Sequence, residues 1–238
     1  MARSFDGTDD NINFGSDAGI DNVFAAAPNT GSVACHFKRG ATGTVILISK
    51  LTDAVADLGW RLSFRGAGGS HVAIFLHSWD ATVTSMRRET LTQFSSTTLL
   101  YSLLATYDGS STTTVANVFV NGAADNGTDG SSARTTIDSE ATLNCRAGES
   151  DSGLGDFNGV IGWITVTKTI LTAADANRHY WWGCAPGGPS TMLVWHPLWT
   201  DDLANKGTGT ANGTATGTTM ASLPRVERCW GAMMGCGR

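Results

Sequence analysis

The stretch 103–122 constrains the fold of this chain most strongly, because turn dipeptides follow both of its apolar segments. An apolar run ends at Tyr107 and meets Asp108-Gly109, a dipeptide that readily takes the positive φ angles of a hairpin turn. The residues 115–120 are mainly β-branched and apolar, as a pleated strand prefers, and Asn121-Gly122 supplies a second turn signal. The stretch therefore predicts a β-hairpin with a further turn at its end.

The rest of the chain is also typical of β-structure rich in turns. Only 16% of the 238 residues are charged, against about 25% in ordinary soluble domains, and 29 are glycines. Short apolar segments separated by glycine-rich turns predict a sandwich or a barrel. We expect an edge strand around 12–14, a solvated loop over 122–139, and further strands at 32–38, 44–51, 60–64, 72–77, 82–87, 99–107 and 192–199.

One short helix is predicted near 173–182. Thr172 stands at the N-cap position and Asp175 follows three residues later, the spacing of a capping box. Gly183 would end the helix as a C′ glycine.

Charge and composition exclude several function classes. The net charge of −5 and the pI near 5.4 argue against nucleic-acid binding, which needs a basic surface. No apolar run reaches the length of about 18 residues that spans a membrane, and no secretory signal is visible at the start. The five scattered cysteines do not form a disulfide framework and are expected to be reduced core thiols.

Two motifs in order resemble those of LamG-like domains in the concanavalin A-like lectin and glucanase superfamily. They are the hairpin from Tyr107 to Gly122 and the segment 157–166, and they are joined by the opening 5–14 and the helix near 173–182. Asn11 and Gly162-Trp163 depart from the family pattern. Over residues 4–183 the resemblance implies an all-β fold, a jelly-roll antiparallel β-sandwich of the concanavalin A-like type.

The domain organisation is predicted as a LamG-like sandwich over 1–183 and a C-terminal extension over 184–238. Pro186-Gly-Gly-Pro189 marks the boundary, and the Gly/Thr-rich segment 207–218 is similar to one attached to such domains in phage and bacterial proteins. We expect extra strands and an arm that packs on the sandwich or on a neighbouring subunit. A flexible Gly/Thr linker is the alternative.

Catalysis is not expected. Glucan hydrolases of the superfamily carry carboxylates two and four positions apart on one strand, and here only Glu149 and Asp151 match, without the third acid. Retaining hydrolysis needs carboxyl groups held about 5 Å apart on a rigid backbone, and this context is loop-like. No catalytic serine elbow, zinc-protease helix or phosphate loop is present.

No cofactor is predicted other than a structural calcium ion. Acidic residues cluster around Asp9 and Asp10 and again around Asp151 and Asp156, and calcium prefers several oxygen ligands. Solvated acidic turns are the alternative.

Tryptophans give the candidate surfaces for sugar stacking. Trp60, Trp163 and Trp195 lie in apolar segments and are expected in the core. The surface candidates flank loops or helix ends and are Trp79, Trp181, Trp182 and Trp199.

The resemblance, the absent leader and the apolar C-terminal residues together predict a non-enzymatic phage virion protein. Capsid decoration (cement) or head-fibre function is expected, with synthesis in the host cytoplasm and assembly with itself and with other virion proteins such as the major capsid protein. A carbohydrate-binding, lectin-like module is the alternative, either as a tail-fibre adhesin that binds a host-surface glycan or as a cellular lectin.

Overall fold

Two antiparallel β-sheets face each other in the computed structural model. It describes residues 2–16, 20–21, 23–24, 30–52, 58–66, 71–78, 85–109, 115–130, 139–151, 155–182, 194–197 and 212–221. The strands are β1 (Ala2–Asp6), β2 (Asn11–Gly15), β3 (Thr30–Arg39), β4 (Ile46–Leu51), β5 (Gly59–Arg65), β6 (Val72–Ser78), β7 (Ser85–Gln93), β8 (Tyr101–Asp108), β9 (Val115–Val120), β10 (Ala123–Ala124), β11 (Asn126–Asp129), β12 (Cys145–Ala147), β13 (Asn158–Thr167), β14 (Val194–Pro197), β15 (Thr214–Thr216) and β16 (Thr219–Ala221), with helix α1 at Ala173–Trp182.

Sheet A has the strand order β10-β9-β8-β3-β13-β1-β16, and β14 also pairs with β13. Sheet B has the order β11-β7-β6-β5-β4-β12-β2-β15. This arrangement of two antiparallel sheets and one helix confirms the predicted jelly-roll β-sandwich. Among the described residues, no helix is both long and apolar enough to cross a membrane.

The core lies between the two sheets and follows the alternation of the strands. On β3, Val33, Cys35 and Phe37 point into it, and on β5, Trp60 and Leu62 do so from the opposite sheet. All five are fully buried, so each sheet contributes one apolar face. Cys35 and Cys145 are free and buried, as predicted, whereas the other three cysteines lie outside the described residues.

Local signals in the sequence predicted the helix and the turn after β9 correctly. β8 and β9 also pair as the predicted hairpin, but Asp108 pairs with Val115, so the expected two-residue turn at Asp108-Gly109 was wrong. Asn121 and Gly122 have φ angles of 50° and 82°, which suit the tight turn between β9 and β10. At the start of α1, the Asp175 side chain accepts the backbone N–H of Thr172 at 2.9 Å, and the Asp175 N–H donates to Thr172 Oγ1 at 3.2 Å. This is the predicted capping box. Gly183 lies outside the described residues.

Two predictions about strands were wrong. The range 122–139 is not entirely loop, since β10 and β11 lie within it and pair with β9 and β7. These small polar residues have little intrinsic strand preference, and hydrogen bonding to the neighbouring strands determines their structure. The strand at 12–14 is not an edge strand either, because β2 lies between β12 and β15.

The C-terminal extension contributes strands to both sheets. β15 pairs with β2 in sheet B, and β16 pairs with β1 in sheet A. β14, within the predicted strand 192–199, pairs with β13. The described parts of the Gly/Thr-rich segment thus hydrogen-bond to the sandwich, while the division at 183/184 stays a prediction.

Helix α1 packs on the outer face of sheet A through a small second cluster. Ala34 and Leu104 from the sheet contact Leu171 and Ala176 next to and on the helix. His179 of α1 stacks on Trp163 with ring centroids 4.7 Å apart and an interplanar angle of 9°. Both rings are buried, so the helix covers this part of the face.

Two histidines are buried in this contact. His36 Nε2 donates a hydrogen bond to the backbone oxygen of His179 at 3.1 Å, and His179 Nδ1 lies 2.9 Å from Ser102 Oγ. Burial lowers the pKa of His179 to about 3. Burial, and then the neighbouring His179, hold the pKa of His36 well below its usual 6.5. Both rings are therefore neutral at pH 7.

These pKa shifts predict that acid weakens the attachment of α1. Because the folded-state pKa lies below the unfolded value, the unfolded chain binds protons more readily, and the free energy of unfolding falls as the pH drops below about 6.5. Each histidine contributes up to about 1.4 kcal/mol per pH unit. We expect chemical denaturation to show that, between about pH 7.5 and about pH 5, the free energy of unfolding of the wild type falls by about 2 kcal/mol more than that of His179→Phe. A difference in the free energy of unfolding that stays constant over this range would contradict the lowered pKa of His179.

Candidate functional site

The outer face of sheet B differs from the outer face of sheet A, because none of the described residues places a helix on it. Trp60, Leu62 and Phe64 of β5 point into the core, so the alternate residues Arg61, Ser63 and Arg65 belong to the outer face. Arg65 is 58% exposed. Long charged side chains thus line this part of the sheet.

Strand pairing aligns arginines across this face. Arg61 pairs with Leu76 on β6, and Leu76 pairs with Arg87 on β7. In the other direction, Arg61 pairs with Ser49 on β4, which pairs with Arg146 on β12. Three arginines therefore occupy one row that runs across five neighbouring strands of sheet B.

The arginines differ in how their charge is compensated. Arg146 forms an ion pair with Glu149 and has Asp151 Oδ1 at 3.4 Å from its Nε. Arg65 and Arg87 share a single carboxylate, Glu89, at 3.6 and 3.4 Å. The part of the face formed by β5–β7 is thus more positive than the part near β12.

A second feature, the acidic cluster, lies at the end of the sandwich where β1 and β2 are joined. Carboxylate oxygens of Asp6, Asp9 and Asp10 lie within 4.8 Å of one another. Asp10 is 5% exposed, and its Oδ2 accepts the backbone N–H of Asp6 at 2.6 Å. Gly217, in the turn between β15 and β16, packs against Asp10 so closely that a Cβ would lie 1.8 Å from Oδ1.

Asp156 and Glu149 join this cluster electrostatically. Burial raises the pKa of Asp156. A backbone hydrogen bond opposes this shift, and the negative charges of Asp9 and Asp6 add to it. Burial also raises the pKa of Glu149, with Arg146 opposing and the charges of Asp156 and Asp9 adding to the shift. Glu149 and Asp156 of the second predicted cluster thus interact with the charges of the first, whereas Asp151 contacts Arg146.

The predicted calcium ligands occupy different environments. Asp9, Asp10 and Asp156 belong to the acidic cluster, whereas Asp151 contacts Arg146 and accepts a hydrogen bond from Asn144 at 2.8 Å. One oxygen of Asp156, Oδ1, is buried with no hydrogen-bond partner among the described residues. Several carboxylate oxygens and an unsatisfied acceptor suit a hard cation, and calcium stays a prediction for this cluster.

The carboxylate pair that most resembled a hydrolase motif is not arranged as one. Glu149 is 5% exposed and ion-paired with Arg146, and Asp151 contacts the same arginine. Both carboxylates are engaged with one arginine, whereas glycoside hydrolysis requires two carboxyl groups that flank the scissile bond of a substrate.

The tryptophan candidates do not form a described platform on sheet B. Trp181 lies on α1, on the sheet A side, and is 36% exposed. Trp79 and Trp199 lie outside the described residues, as does the side chain of Trp182. The prediction that Trp60 and Trp163 are buried is confirmed, although Trp163 lies beneath the helix and not between the sheets. The side chain of Trp195 is outside the described residues.

Sequence reasoning missed the arginines of sheet B. The alternation of Trp60, Leu62 and Phe64 with Arg61 and Arg65 was visible and places both arginines on one outward face. The position of Arg87 beside them requires the pairing of β5 with β6 and of β6 with β7, which no local motif specifies.

Comparisons with known proteins agree with this fold. No family model and no curated protein match the chain. A heptameric SAP-like pentraxin from Limulus polyphemus matches with a TM-score of 0.60 at 11% identity, over 91% of this chain and 92% of that one. A Bacteroides ovatus protein assigned to carbohydrate binding matches with a TM-score of 0.66 at 15% identity, over 94% of this chain and 61% of that one.

A third similar structure is the CBM40 domain of the Ruminococcus gnavus IT-sialidase bound to α2,3-sialyllactose. It matches with a TM-score of 0.50 at 12% identity, over 74% of this chain and 96% of that domain. At these identities the similarity establishes the fold alone, which is the predicted jelly-roll β-sandwich.

A cation in the acidic cluster predicts a reversal in the effect of Asp156→Asn. In a chelator, we expect the variant to be more stable than the wild type, because burial disfavours the ionised Asp156 carboxylate in the folded state and raises its pKa. In calcium, the wild type should gain more stability than the variant, since it retains the ligand. Thermal unfolding measures both effects.

Asp151→Asn is the matched control, because Asp151 contacts Arg146 instead of the cluster. It should leave the calcium response unchanged. A wild type whose unfolding temperature does not respond to calcium would refute a cation in the cluster.

Proposed function

We propose that this protein is a non-catalytic carbohydrate-binding module whose binding surface is the outer face of sheet B. The observation that carries the proposal is the asymmetry of the sandwich. Helix α1 covers the part of the outer face of sheet A formed by β3, β8 and β13, while Arg61, Arg65 and Arg87 line the outer face of sheet B. Polar groups on a rigid sheet suit hydrogen bonding to sugar hydroxyls.

The similar structures support this assignment. The Bacteroides ovatus protein is assigned to carbohydrate binding, and the Ruminococcus gnavus domain is bound to sialyllactose. The absence of catalysis is part of the proposal, which is supported by the engagement of Glu149 and Asp151 with Arg146.

The virion role predicted from the sequence receives no support from the proteins named above. It depends on the expectation that the chain has no leader and on segments near the C-terminus, of which the structure describes 194–197 and 212–221. These residues pair with strands of the sandwich. Virion location, assembly with a capsid protein and homo-oligomer formation stay predictions, and glycan binding is the proposal that the structure favours.

The location of the site can be tested by NMR. A glycan identified on an oligosaccharide array should shift backbone amides of β5–β7 in a saturable titration and leave those of α1 unchanged. Trp181→Ala should bind the glycan as the wild type does, because Trp181 lies on the other side of the sandwich. Saturable shifts confined to α1, or an array without any bound glycan, would refute the proposal.

A further inference from the structure

We propose that the ligand of this surface is an acidic saccharide, whose carboxylate or sulfate group is held by an arginine patch made of Arg61, Arg65 and Arg87. The inference rests on the proposed function, because it names the class of glycan that the same face binds. It is carried by the strand register, by the shared carboxylate of Glu89 and by the charge of the surroundings.

The register brings the three arginines around one small area. Arg61 and Arg87 lie two strands apart in the same row, and neighbouring strands are about 4.8 Å apart, so their Cα atoms are about 10 Å apart. Arg65 lies four residues further along β5, on the same face as Arg61. An arginine side chain is long enough for its guanidinium group to reach a ligand placed between them.

Glu89 fixes the distance between two of the guanidinium groups. Its Oε1 lies 3.6 Å from Arg65 Nη1 and 3.4 Å from Arg87 Nε, so these nitrogens are no more than about 7 Å apart. Both contacts exceed the 2.7–3.2 Å of a protein N–H···O hydrogen bond. The Arg87 Nε itself is buried, so a ligand reaches this guanidinium group, whose side chain is 33% exposed, through its Nη nitrogens. An anionic group that accepts hydrogen bonds from both arginines fits this spacing.

The charges of the patch are unbalanced. Among the described residues, Arg65 and Arg87 share the single carboxylate of Glu89, which leaves one excess positive charge at this pair in a protein whose net charge is −5. Arg65 is 58% and Arg87 33% exposed, whereas Ser63 and Ile74 between them are only 4% and 6% exposed. A ligand therefore meets the guanidinium groups before it meets the sheet.

The limited size of the patch favours a saccharide with isolated acidic groups over a nucleic acid. A phosphate backbone requires many simultaneous cationic contacts along its length. Here the positive charge is confined to three side chains, and the acidic cluster at the end of the sandwich would repel an extended polyanion. One carboxylate or sulfate satisfies the patch without extending beyond it.

The decisive experiment compares ligands that differ only in charge. Isothermal titration of the full chain with oligogalacturonate and with its methyl ester, and with sialyllactose and with lactose, separates the acidic group from the sugar. We expect the acidic member of at least one pair to bind at least about tenfold more tightly, and added salt to reduce that difference. The same titration with a sulfated oligosaccharide tests a sulfate group as the ligand, and titration with single-stranded DNA tests a nucleic acid.

Arg65→Ala and Arg87→Ala should each weaken binding of the acidic ligand about tenfold without changing the unfolding temperature by more than a few degrees. Arg178→Ala is the matched control. Arg178 is 48% exposed and lies 3.7 Å from Asp175, close to the values for Arg65, but it is on α1. This variant should bind as the wild type does.

The outcomes distinguish the inference from the function on which it rests. Equal binding of the charged and uncharged members, mapped to β5–β7, would refute the acidic saccharide and leave carbohydrate binding intact. Tight binding of DNA without binding of any saccharide would refute both the acidic saccharide and the proposed function. Both would also be refuted if the Arg178→Ala variant no longer bound the acidic ligand while the Arg65→Ala variant bound it as the wild type does.

Discussion

Burial of the central strands of sheet A on both of their faces is the constraint on which the rest of the structure depends. Val33, Cys35 and Phe37 of β3 pack between the sheets, while Ala34 and His36 on the same strand pack beneath α1. A strand with two apolar contacts has no face left for a ligand. The outer face of sheet B is consequently where the described part of the chain places long polar side chains on a rigid support.

The contact beneath α1 is held by polar groups that tolerate burial only when they are neutral. His36 and His179 use one ring nitrogen each for a hydrogen bond, and a proton on either ring would be both desolvated and close to the other ring, 4.8 Å away. Stacking of Trp163 on His179 supplies the apolar part of the contact. The helix is therefore firmly attached at neutral pH and acts as a cover for the sheet.

The sequence allowed the prediction of features that depend on near neighbours. The capping box of Thr172 and Asp175 and the turn at Asn121-Gly122 are specified within a few residues, and both form as expected. The jelly roll followed from the order of two motifs. The sites were harder to predict, because strand pairing brings Asp156 to Asp9 and Arg87 to Arg61 from distant parts of the chain. β10 and β11 were missed for the same reason, since pairing with β9 and β7 and not their composition makes them strands.

The row of arginines shows how one face divides between a structural and a binding role. At the β12 end of the row, Arg146 is 20% exposed and contacts two carboxylates, Glu149 and Asp151, so its charge is compensated within the protein. At its β7 end, Arg87 shares Glu89 with Arg65, and the balance is positive. Surface ion pairs contribute only about 0–1 kcal/mol each, so replacing a shared contact near 3.5 Å with a hydrogen bond to a ligand forfeits little stability. The excess of acid at one end of the face and of arginine at the other thus makes the β5–β7 region the part where an anion gains most by binding.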